Sequence, residues 1–231
     1  EGEFICASDK PAIANFTNII LPMEDEEIAL LTPLGIEIYD INNERQYRNP
    51  VSLKGSEQVI DKMNFKHYML KEIYDQPETA KNWLEKYLIK NSKNGQFQIN
   101  YPFDTKFFES IERIEIIACG TSKHAAMVGS FLLEQFSGIP TNVFYASEFR
   151  YSPPPLLPNT LTVGVTQSGE TADTIAAINM EIKRRSIMEN EEFKPNLVAI
   201  TNRIESSIGR QISNIIDIGA GIEVGVAATK T

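Results

Sequence analysis

The sequence is poor in the residues that build metal centres and disulfide frameworks. Its 231 residues include two cysteines, Cys6 and Cys119, and two histidines, His67 and His124. Because none of them forms a CxxC or HxxxH motif, neither a metal site nor a disulfide framework is predicted. Two cysteines without a framework are typical of a reducing compartment, so we expect a cytoplasmic protein.

The sequence also lacks a long apolar run and a surplus of basic residues. Its formal net charge is -9, and no stretch is apolar over enough residues to predict a membrane span. An acidic chain without a basic stripe argues against nucleic acid as the main partner, so we expect neither nucleic acid nor membrane. A small anion stays possible, because an anion site needs only a local cluster of hydrogen-bond donors.

The first 50 residues contain short segments of β type. EFICAS alternates weakly between apolar and polar residues, so a strand with a buried Cys6 is expected there. EEIALLT and GIEIYDI are rich in β-forming residues and are separated by PLG, which predicts a hairpin. Residues 51–66 show no clear period and are interpreted as a connector. Neither EGEFICASDK at the start nor GVAATKT at the end completes an element, so we expect an excerpt of a longer protein.

An amphipathic helix is predicted over KHYMLKEIYDQPETAKNWLEKYL. Apolar side chains recur near helical spacing on both sides of Pro77, which is expected to break or restart the helix. These side chains are Met69, Leu70, Ile73 and Tyr74 before the proline, and Trp83, Leu84, Tyr87 and Leu88 after it. Such a stripe is more typical of core packing than of a functional surface.

From about residue 111 the sequence alternates between strand-like and helix-like segments. Strands are predicted over IERIEIIACG, NVFYAS, LTVGV, NLVAIT and IIDIGAG. Helices are predicted over TSKHAAMVGSFLLEQFSG, where Gly138 is a natural stop, and over ADTIAAINMEIKRR. Strands that alternate with helices, and that are apolar nearly throughout, indicate an α/β fold with a parallel sheet and helices on both faces.

Two hydroxyl-rich segments follow strands of this predicted sheet. They are CGTS, residues 119–122, and TQSGET, residues 166–171, and each leads into a helix. Both are expected beyond the carboxyl ends of the strands, which is where parallel sheets bind ligands. Free backbone N–H groups, helix dipoles and hydroxyls can hold an anion there, and Gly120 and Gly169 allow close backbone approach.

Ordinary helix capping is the alternative explanation for either segment taken alone. Ser122 or Thr171 could open the following helix as an N-cap residue. Two such segments at one edge of a sheet favour an anion site, because TQSGET carries more polar groups than a cap requires. Neither segment matches a Walker A or GxGxxG motif, so a nucleotide is not indicated.

Four stretches, ACGTS, ASEFRY, TQSGETADT and EVGVAATKT, occur in this order and resemble the glutamine–fructose-6-phosphate aminotransferase (isomerizing) family, the glucosamine-6-phosphate synthases. HYMLKEIYDQP is similar to the segment that joins the glutaminase and isomerase domains of that family, and FICASDKPAI to a late part of its glutaminase domain. The resemblance covers nearly the whole chain. It implies that residues 1–55 end a type 2 glutaminase domain of the Ntn-hydrolase fold, that residues 56–100 form an interdomain linker and helical segment, and that residues 101–231 form a first SIS (sugar isomerase) domain, truncated at its end.

The resemblance also implies a function for the parent protein. Members of the family make glucosamine-6-phosphate from fructose-6-phosphate and glutamine without a metal or organic cofactor, and they associate into homo-oligomers. This chain is then expected to supply the sugar-phosphate-binding loops and to be inactive by itself. A non-catalytic SIS-domain protein that senses or regulates through a sugar phosphate is the alternative from another class.

Individual positions follow from matching the family motifs. Substrate binding is implied for Thr121, Ser122, Thr166, Gln167, Ser168, Thr171 and Val226. Cys119 and Gly120 are implied to lie near the ammonia channel. Thr166 and Ala228 stand where the family commonly has serine, so slightly altered sugar-phosphate binding is expected at Thr166, and a hydroxyl contact at Ala228 is in doubt.

No catalytic residue is expected within this chain. The family nucleophile is a cysteine with a free amino terminus, which Cys6 is not. Lys230 does not match the lysine that the family uses for its Schiff base, and neither His67 nor His124 matches its catalytic histidine. Glu170 is interpreted as a capping and electrostatic residue at a helix N-terminus.

Overall fold

A computed structural model describes residues 3–7, 10–14, 16–53, 61–90 and 95–231. The chain divides into two compact units, residues 1–63 and residues 64–231. In the described ranges, none of the helices combines the length and the apolar character that crossing a membrane requires.

Short strands dominate the described residues of the first unit. The elements are α1 (Lys10–Ile13), β1 (Ile19–Ile20), β2 (Glu27–Thr32), β3 (Gly35–Asp40), β4 (Arg45–Gln46) and β5 (Val51–Ser52). β2 and β3 pair antiparallel, with Thr32 opposite Gly35, so the predicted hairpin is confirmed. Ile38 on β3 is buried and anchors this small sheet.

Two expectations for the first unit are wrong. Residues 3–7 form no strand, and Cys6 is exposed, because this segment joins no ladder among the described residues. A strand exists only where a partner completes its hydrogen bonds, and weak alternation in a sequence does not supply one. β5 lies within the predicted connector 51–66 and pairs with β1, whereas residues 54–60 lie outside the described residues.

The second unit is built around parallel strands. Its elements are α2 (Tyr68–Tyr87), β6 (Leu88–Lys90), β7 (Phe97–Ile99), β8 (Arg113–Ala118), α3 (Gly120–Ser137), β9 (Thr141–Tyr145), α4 (Ala146–Phe149), β10 (Thr160–Thr166), α5 (Ala172–Ser186), β11 (Leu197–Thr201), α6 (Ser207–Gln211) and β12 (Ile215–Asp217). β6 and β7 pair antiparallel as a separate two-stranded sheet. Gly138 ends α3 in the left-handed conformation, as its position predicts.

The main sheet has the strand order β12-β11-β10-β8-β9, and every neighbouring pair is parallel. The predicted parallel sheet is therefore confirmed. The chain runs from β8 outward to β9 and then returns to the other side of β8 to form β10. The strand order reverses between β8 and β10, and in open α/β sheets this switch point is where ligands bind.

The two faces of the sheet bury different side chains, so helices do cover both faces as predicted. Helices α4, α5 and α6 pack on one face around Ile117, Phe149 and Ile178. Helix α3 packs on the other face, where Ala126 meets Ile116 and neighbouring apolar side chains. This second face also borders a cavity of about 720 Å³, which reaches the carboxyl ends of β8 and β10 at Thr121 and Gln167.

Helix α2 corrects two expectations. Pro77 does not break it, because a proline removes only one intrahelical hydrogen bond and the helix is tied to other elements on both sides of that position. Most of the predicted apolar stripe is exposed, with Tyr74 68% accessible, although Tyr87 from that stripe is buried, as is the charged Glu72. This helix is therefore held mainly by polar contacts, which an apolar pattern does not reveal.

Candidate functional site

The two hydroxyl-rich segments lie at one edge of the sheet. Residues 119–122 follow β8 and residues 166–171 begin at the last residue of β10. Because β8 and β10 are paired, with Ala118 opposite Val165, both segments meet at the switch point. The structure thus brings together the two segments that the sequence singled out, at the place where this topology binds ligands.

Helix α3 begins at Gly120, one residue before its predicted start at Thr121, so most of the first segment is helical. Residues 120–122 form the first turn of α3, and Cys119 is its N-cap residue without a side-chain capping bond. Gly120 has a φ of +53°, a left-handed value that glycine adopts at low cost. The first-turn N–H groups of an 18-residue helix therefore point toward this edge without a cap from Cys119.

The second segment holds itself together through its own hydroxyls. Thr166 Oγ1 and Thr171 Oγ1 share a hydrogen bond of 2.8 Å, and the Gly169 N–H donates to Thr166 Oγ1 at 3.2 Å. Thr171 is the N-cap residue of α5, but its side chain makes no capping bond. Side-chain capping, the alternative from the sequence, is therefore not what Thr171 does, and Ser122 is the third residue of α3, whose N-cap residue is Cys119.

Ser168 is the hydroxyl of this segment that is best placed to donate to a ligand. Its Oγ accepts a hydrogen bond of 3.1 Å from the Glu170 N–H, and the side chain is half-buried. Because a hydroxyl oxygen that accepts still has its own O–H, Ser168 keeps one donor available. Thr166, by contrast, is 2% exposed, and its bonds stay inside the segment.

A third polar segment, residues 201–208, supports the second one, and sequence reasoning missed it. The Asn202 N–H donates to the Gln167 carbonyl at 3.1 Å, and the Ile208 N–H donates to the Gly169 carbonyl at 3.1 Å. TNRIESS follows the fourth predicted strand directly, as the other hydroxyl-rich segments follow theirs, and that position could have revealed it.

Glu170 also binds this third segment. Its Oε1 accepts a hydrogen bond of 2.7 Å from the Ser207 N–H, at the first residue of α6. The interpretation of Glu170 as a helix-capping residue agrees with this contact, although the helix involved is α6 and not the α5 that follows it in the sequence. The carboxylate thus fastens residues 166–171 to the start of α6.

The cavity beside the switch point has a polar end and an apolar body. Thr121, Ser122 and Gln167 line it together with Ala228 and Thr231 from the loop 223–231. Apolar side chains of the sheet, of α3 and of the segment before β8, among them Tyr101 and Phe108, line most of the rest. Ala228 thus reaches the cavity without a hydroxyl, which agrees with the doubt about a hydroxyl contact there.

Not every predicted position lines this cavity: Thr166, Ser168, Thr171 and Val226 are absent from its wall. Val226 is 55% exposed and lies outside the cavity wall, so its predicted contact with the sugar has no support from this geometry. Cys119 is half-buried and Gly120 is exposed, and their predicted place near an ammonia channel stays a prediction. His67 and His124 are both exposed.

Electrostatics at this edge favour an anion through dipoles more than through charge. The N-termini of α3 and α5 both point toward the switch point, which concentrates partial positive charge there. Lys123, in the first turn of α3, adds an ammonium whose Nζ stands 3.7 Å from the centre of the Tyr145 ring. In the part of the chain that the structure describes, no three metal-binding side chains cluster.

A perturbed carboxyl group lies elsewhere, inside the sheet. Burial, and then the charge of Glu181, raise the pKa of Glu115 on β8, while the charge of Arg185 lowers it. Arg185 Nε in turn donates to Glu181 at 2.6 Å. Glu115 lies three residues before the end of β8, so we interpret this cluster as packing between the sheet and α5.

Comparison with known proteins identifies the family. The model of the SIS domain matches residues 107–231, which is more than half of the chain. The chain belongs to the SIS domain family. The matched residues include both hydroxyl-rich segments, so the site described above is a feature of an SIS domain.

Two similar relatives of this chain share the name glutamine–fructose-6-phosphate aminotransferase (isomerizing). The glutamine–fructose-6-phosphate aminotransferase (isomerizing) of Thermosynechococcus vestitus is 53% identical over all of this chain and 37% of its own length. That of Synechocystis sp. is 49% identical with the same coverage. The resemblance drawn from the sequence motifs is therefore confirmed, and the chain spans about 37% of the length of these relatives.

A solved structure supports the fold as well. The C-terminal domain of glucosamine-fructose-6-phosphate aminotransferase from Francisella tularensis is 34% identical, with a TM-score of 0.62. The match covers 74% of this chain and 44% of that one. The parallel sheet and its surrounding helices are thus shared with that solved structure.

Proposed function

We propose that this chain is the part of a glutamine–fructose-6-phosphate aminotransferase (isomerizing) that supplies the sugar-phosphate-binding segments. The observation that carries the proposal is the meeting of residues 119–122 and 166–171 at the switch point, beside a cavity that both segments line. Identity of 53% over the whole chain to a relative of that name supports the same reaction.

The binding mode follows from the donors at the edge. The phosphate of fructose-6-phosphate accepts hydrogen bonds from Ser168 and from the first-turn N–H groups of α3 and α5, with Thr121, Ser122, Gln167 and Thr171 beside them. Neutral donors and helix dipoles suit a doubly charged phosphate without a strongly basic pocket. Thr166 contributes by holding the segment that carries Ser168.

The remaining parts of the parent enzyme complete the proposal. Residues 1–55 belong to the end of its glutaminase domain, residues 56–100 to the interdomain linker and helical segment, and residues 101–231 to its first SIS domain. Glutamine is the second substrate and binds outside this chain, and ammonia passes near Cys119 and Gly120. We propose a cytoplasmic homo-oligomer with no nucleic-acid or membrane partner. A sugar-phosphate sensor without catalysis is not favoured by relatives that are all named as enzymes.

Removal of the Ser168 hydroxyl tests the phosphate assignment. Ser168→Ala is expected to weaken fructose-6-phosphate binding about tenfold, because one hydrogen bond to a charged group is lost. Binding is measured by calorimetric titration of the protein as its source cells make it. Fructose without the phosphate should bind the wild type and the variant equally weakly.

Ser186→Ala is the matched control, since Ser186 is an exposed serine at the far end of α5. It should bind fructose-6-phosphate as the wild type does. Equal affinity of Ser168→Ala and the wild type would show that the phosphate lies elsewhere. No binding by the wild type at millimolar concentrations would overturn the proposed function itself.

A further inference from the structure

A buried carboxylate on α2 binds the loop 223–231 through hydrogen bonds. Glu72 is 3% exposed, and its Oε1 accepts hydrogen bonds from the backbone N–H groups of Val224 and Gly225, the latter at 3.0 Å. Its Oε2 accepts a hydrogen bond of 2.5 Å from the Thr229 hydroxyl. Because a buried charge is stable only with such donors, these three contacts fix where the loop backbone lies.

The protonation behaviour of Glu72 agrees with this role. Burial alone would raise the pKa of Glu72, but the hydrogen bonds from Thr229, Val224 and Gly225 and the charge of Lys230 outweigh it, so the pKa is lowered. The carboxylate is therefore ionised at neutral pH and accepts at both oxygens.

Two further contacts seat the loop on the same helix. Gln76 Nε2, one helical turn beyond Glu72, donates to the Thr229 carbonyl at 2.6 Å. Gly225 packs so closely on the first turn of α2 that a Cβ there would stand 2.6 Å from the Met69 nitrogen. The loop and the helix thus meet along more than one turn, without room for a side chain at residue 225.

The far end of α2 is fixed to the sheet itself. The Tyr87 hydroxyl accepts a hydrogen bond of 3.0 Å from the Asp217 N–H and donates one of 3.0 Å to the Asp217 carbonyl. Lys86 Nζ stands 2.6 Å from Asp217 Oδ2. Since β12 and the loop are both tied to α2, the helix can act as a rigid support for the loop.

The loop that α2 supports forms part of the cavity wall. Ala228 and Thr231 line the cavity together with Thr121, Ser122 and Gln167, whereas Glu72 does not reach it. A shift of the loop would therefore change the space in which a sugar phosphate is held. Glu72 can act on the site only through the loop.

We propose that Glu72 is a positioning residue for the sugar-phosphate site, which it serves by holding the loop 223–231 against the cavity. This inference rests on the proposed function and deepens it. It places a determinant of substrate affinity on α2, a helix that precedes the sheet and contributes nothing to the cavity wall.

The test compares three variants of the protein as its source cells make it. Glu72→Ala removes the acceptor, and Glu72→Gln keeps one oxygen for the two N–H groups and can donate to the Thr229 hydroxyl. Glu85→Ala, an exposed glutamate of the same helix, is the matched control. Two quantities are measured for each: amide hydrogen exchange in residues 222–229, and the dissociation constant for fructose-6-phosphate.

Glu72→Ala is expected to expose residues 222–229 to exchange and to weaken fructose-6-phosphate binding about tenfold or more, since buried donors lose their acceptor. Glu72→Gln should stay within about threefold of the wild type, because the amide replaces most of the hydrogen bonds. Glu85→Ala should change neither quantity. If Glu72→Ala does not fold, Thr229→Val removes one of the contacts and should show the same direction.

Unchanged exchange in Glu72→Ala would overturn the positioning role whatever the ligand does. Faster exchange with unchanged affinity would overturn it too, because the loop would then be irrelevant to the site. If the wild type itself does not bind fructose-6-phosphate, the proposed function fails, and the exchange data still report whether Glu72 holds the loop.

Discussion

Two hydroxyl-rich segments lie side by side at the carboxyl edge of the sheet, and they are held in different ways. Residues 166–171 are fixed by hydrogen bonds among their own hydroxyls and by residues 201–208. Residues 119–122 have no comparable bonds between side chains in the described structure and rest on the first turn of α3. Gly169 is buried beside Ser206 of the supporting residues 201–208, whereas Gly120 is exposed.

The difference indicates that the two segments would hold a ligand in different ways. A segment that is fixed before a ligand arrives loses little entropy on binding, which would favour affinity for the proposed phosphate. A helix N-terminus offers backbone donors in fixed positions without needing side-chain support. One side of the switch point is thus organised by side chains and the other by the helix backbone.

The largest difference between the two segments is expected when the glycine of each is replaced by alanine, which adds one methyl group. A Cβ at Gly169 would stand 1.9 Å from Ser206 Oγ at a φ of +68°, so Gly169→Ala should lower the free energy of unfolding by about 3 kcal/mol. A Cβ at Gly120 meets nothing within 4 Å at a φ of +53°, so Gly120→Ala should cost about 1 kcal/mol. Urea unfolding measures both, and equal losses would contradict the proposed difference in support.

A smaller effect is expected from removing one hydroxyl on each side. Thr166→Val leaves the Gly169 N–H without its acceptor in a buried position, which should cost about 1–2 kcal/mol. Thr121→Val changes an exposed residue and should stay within about 0.5 kcal/mol. Thr166→Ser is the control, because it keeps the hydroxyl. A Thr166→Val protein as stable as the wild type would show that the internal hydrogen bonds are unimportant.

The smallest effect concerns the fastening of residues 166–171 to α6. Glu170→Ala removes the acceptor of the Ser207 N–H and should lower the free energy of unfolding by about 0.5 kcal/mol at low salt. The loss should shrink as salt is added, because the contact is exposed. Glu170→Gln keeps an oxygen acceptor and should show a weaker salt dependence. A loss in Glu170→Ala that is independent of salt would argue against an electrostatic contribution.

Local pattern was sufficient for the sheet and for the position of the site. Each strand of the sheet is an apolar run that can be read without its neighbours, because parallel strands are buried on both faces. The glycines and hydroxyls of residues 119–122 and 166–171 directly follow such runs, so their place at the carboxyl edge followed from the fold class. α3 begins at Gly120, one residue before the predicted start, because helix ends depend on hydrogen bonds that the sequence does not show.

Other expectations failed where tertiary contacts outweigh local pattern. Pro77 lies inside α2 because that helix is tied down on both sides of it. Most of the apolar stripe of α2 is exposed while Glu72 is buried, which reverses the usual preference. Cys6 is exposed, since weak alternation predicted a strand where no partner strand lies among the described residues.

By itself the sequence determined the parallel α/β fold, the two hydroxyl-rich segments and the family of the chain, because each of these can be recognised from short contiguous stretches of sequence. Only the tertiary structure decided which hydroxyls bind one another, that residues 201–208 support the site, and that Glu72 holds the loop 223–231. Glu72 and Thr229 are 157 residues apart in the chain. No local pattern relates such partners, since folding alone brings them within hydrogen-bond distance.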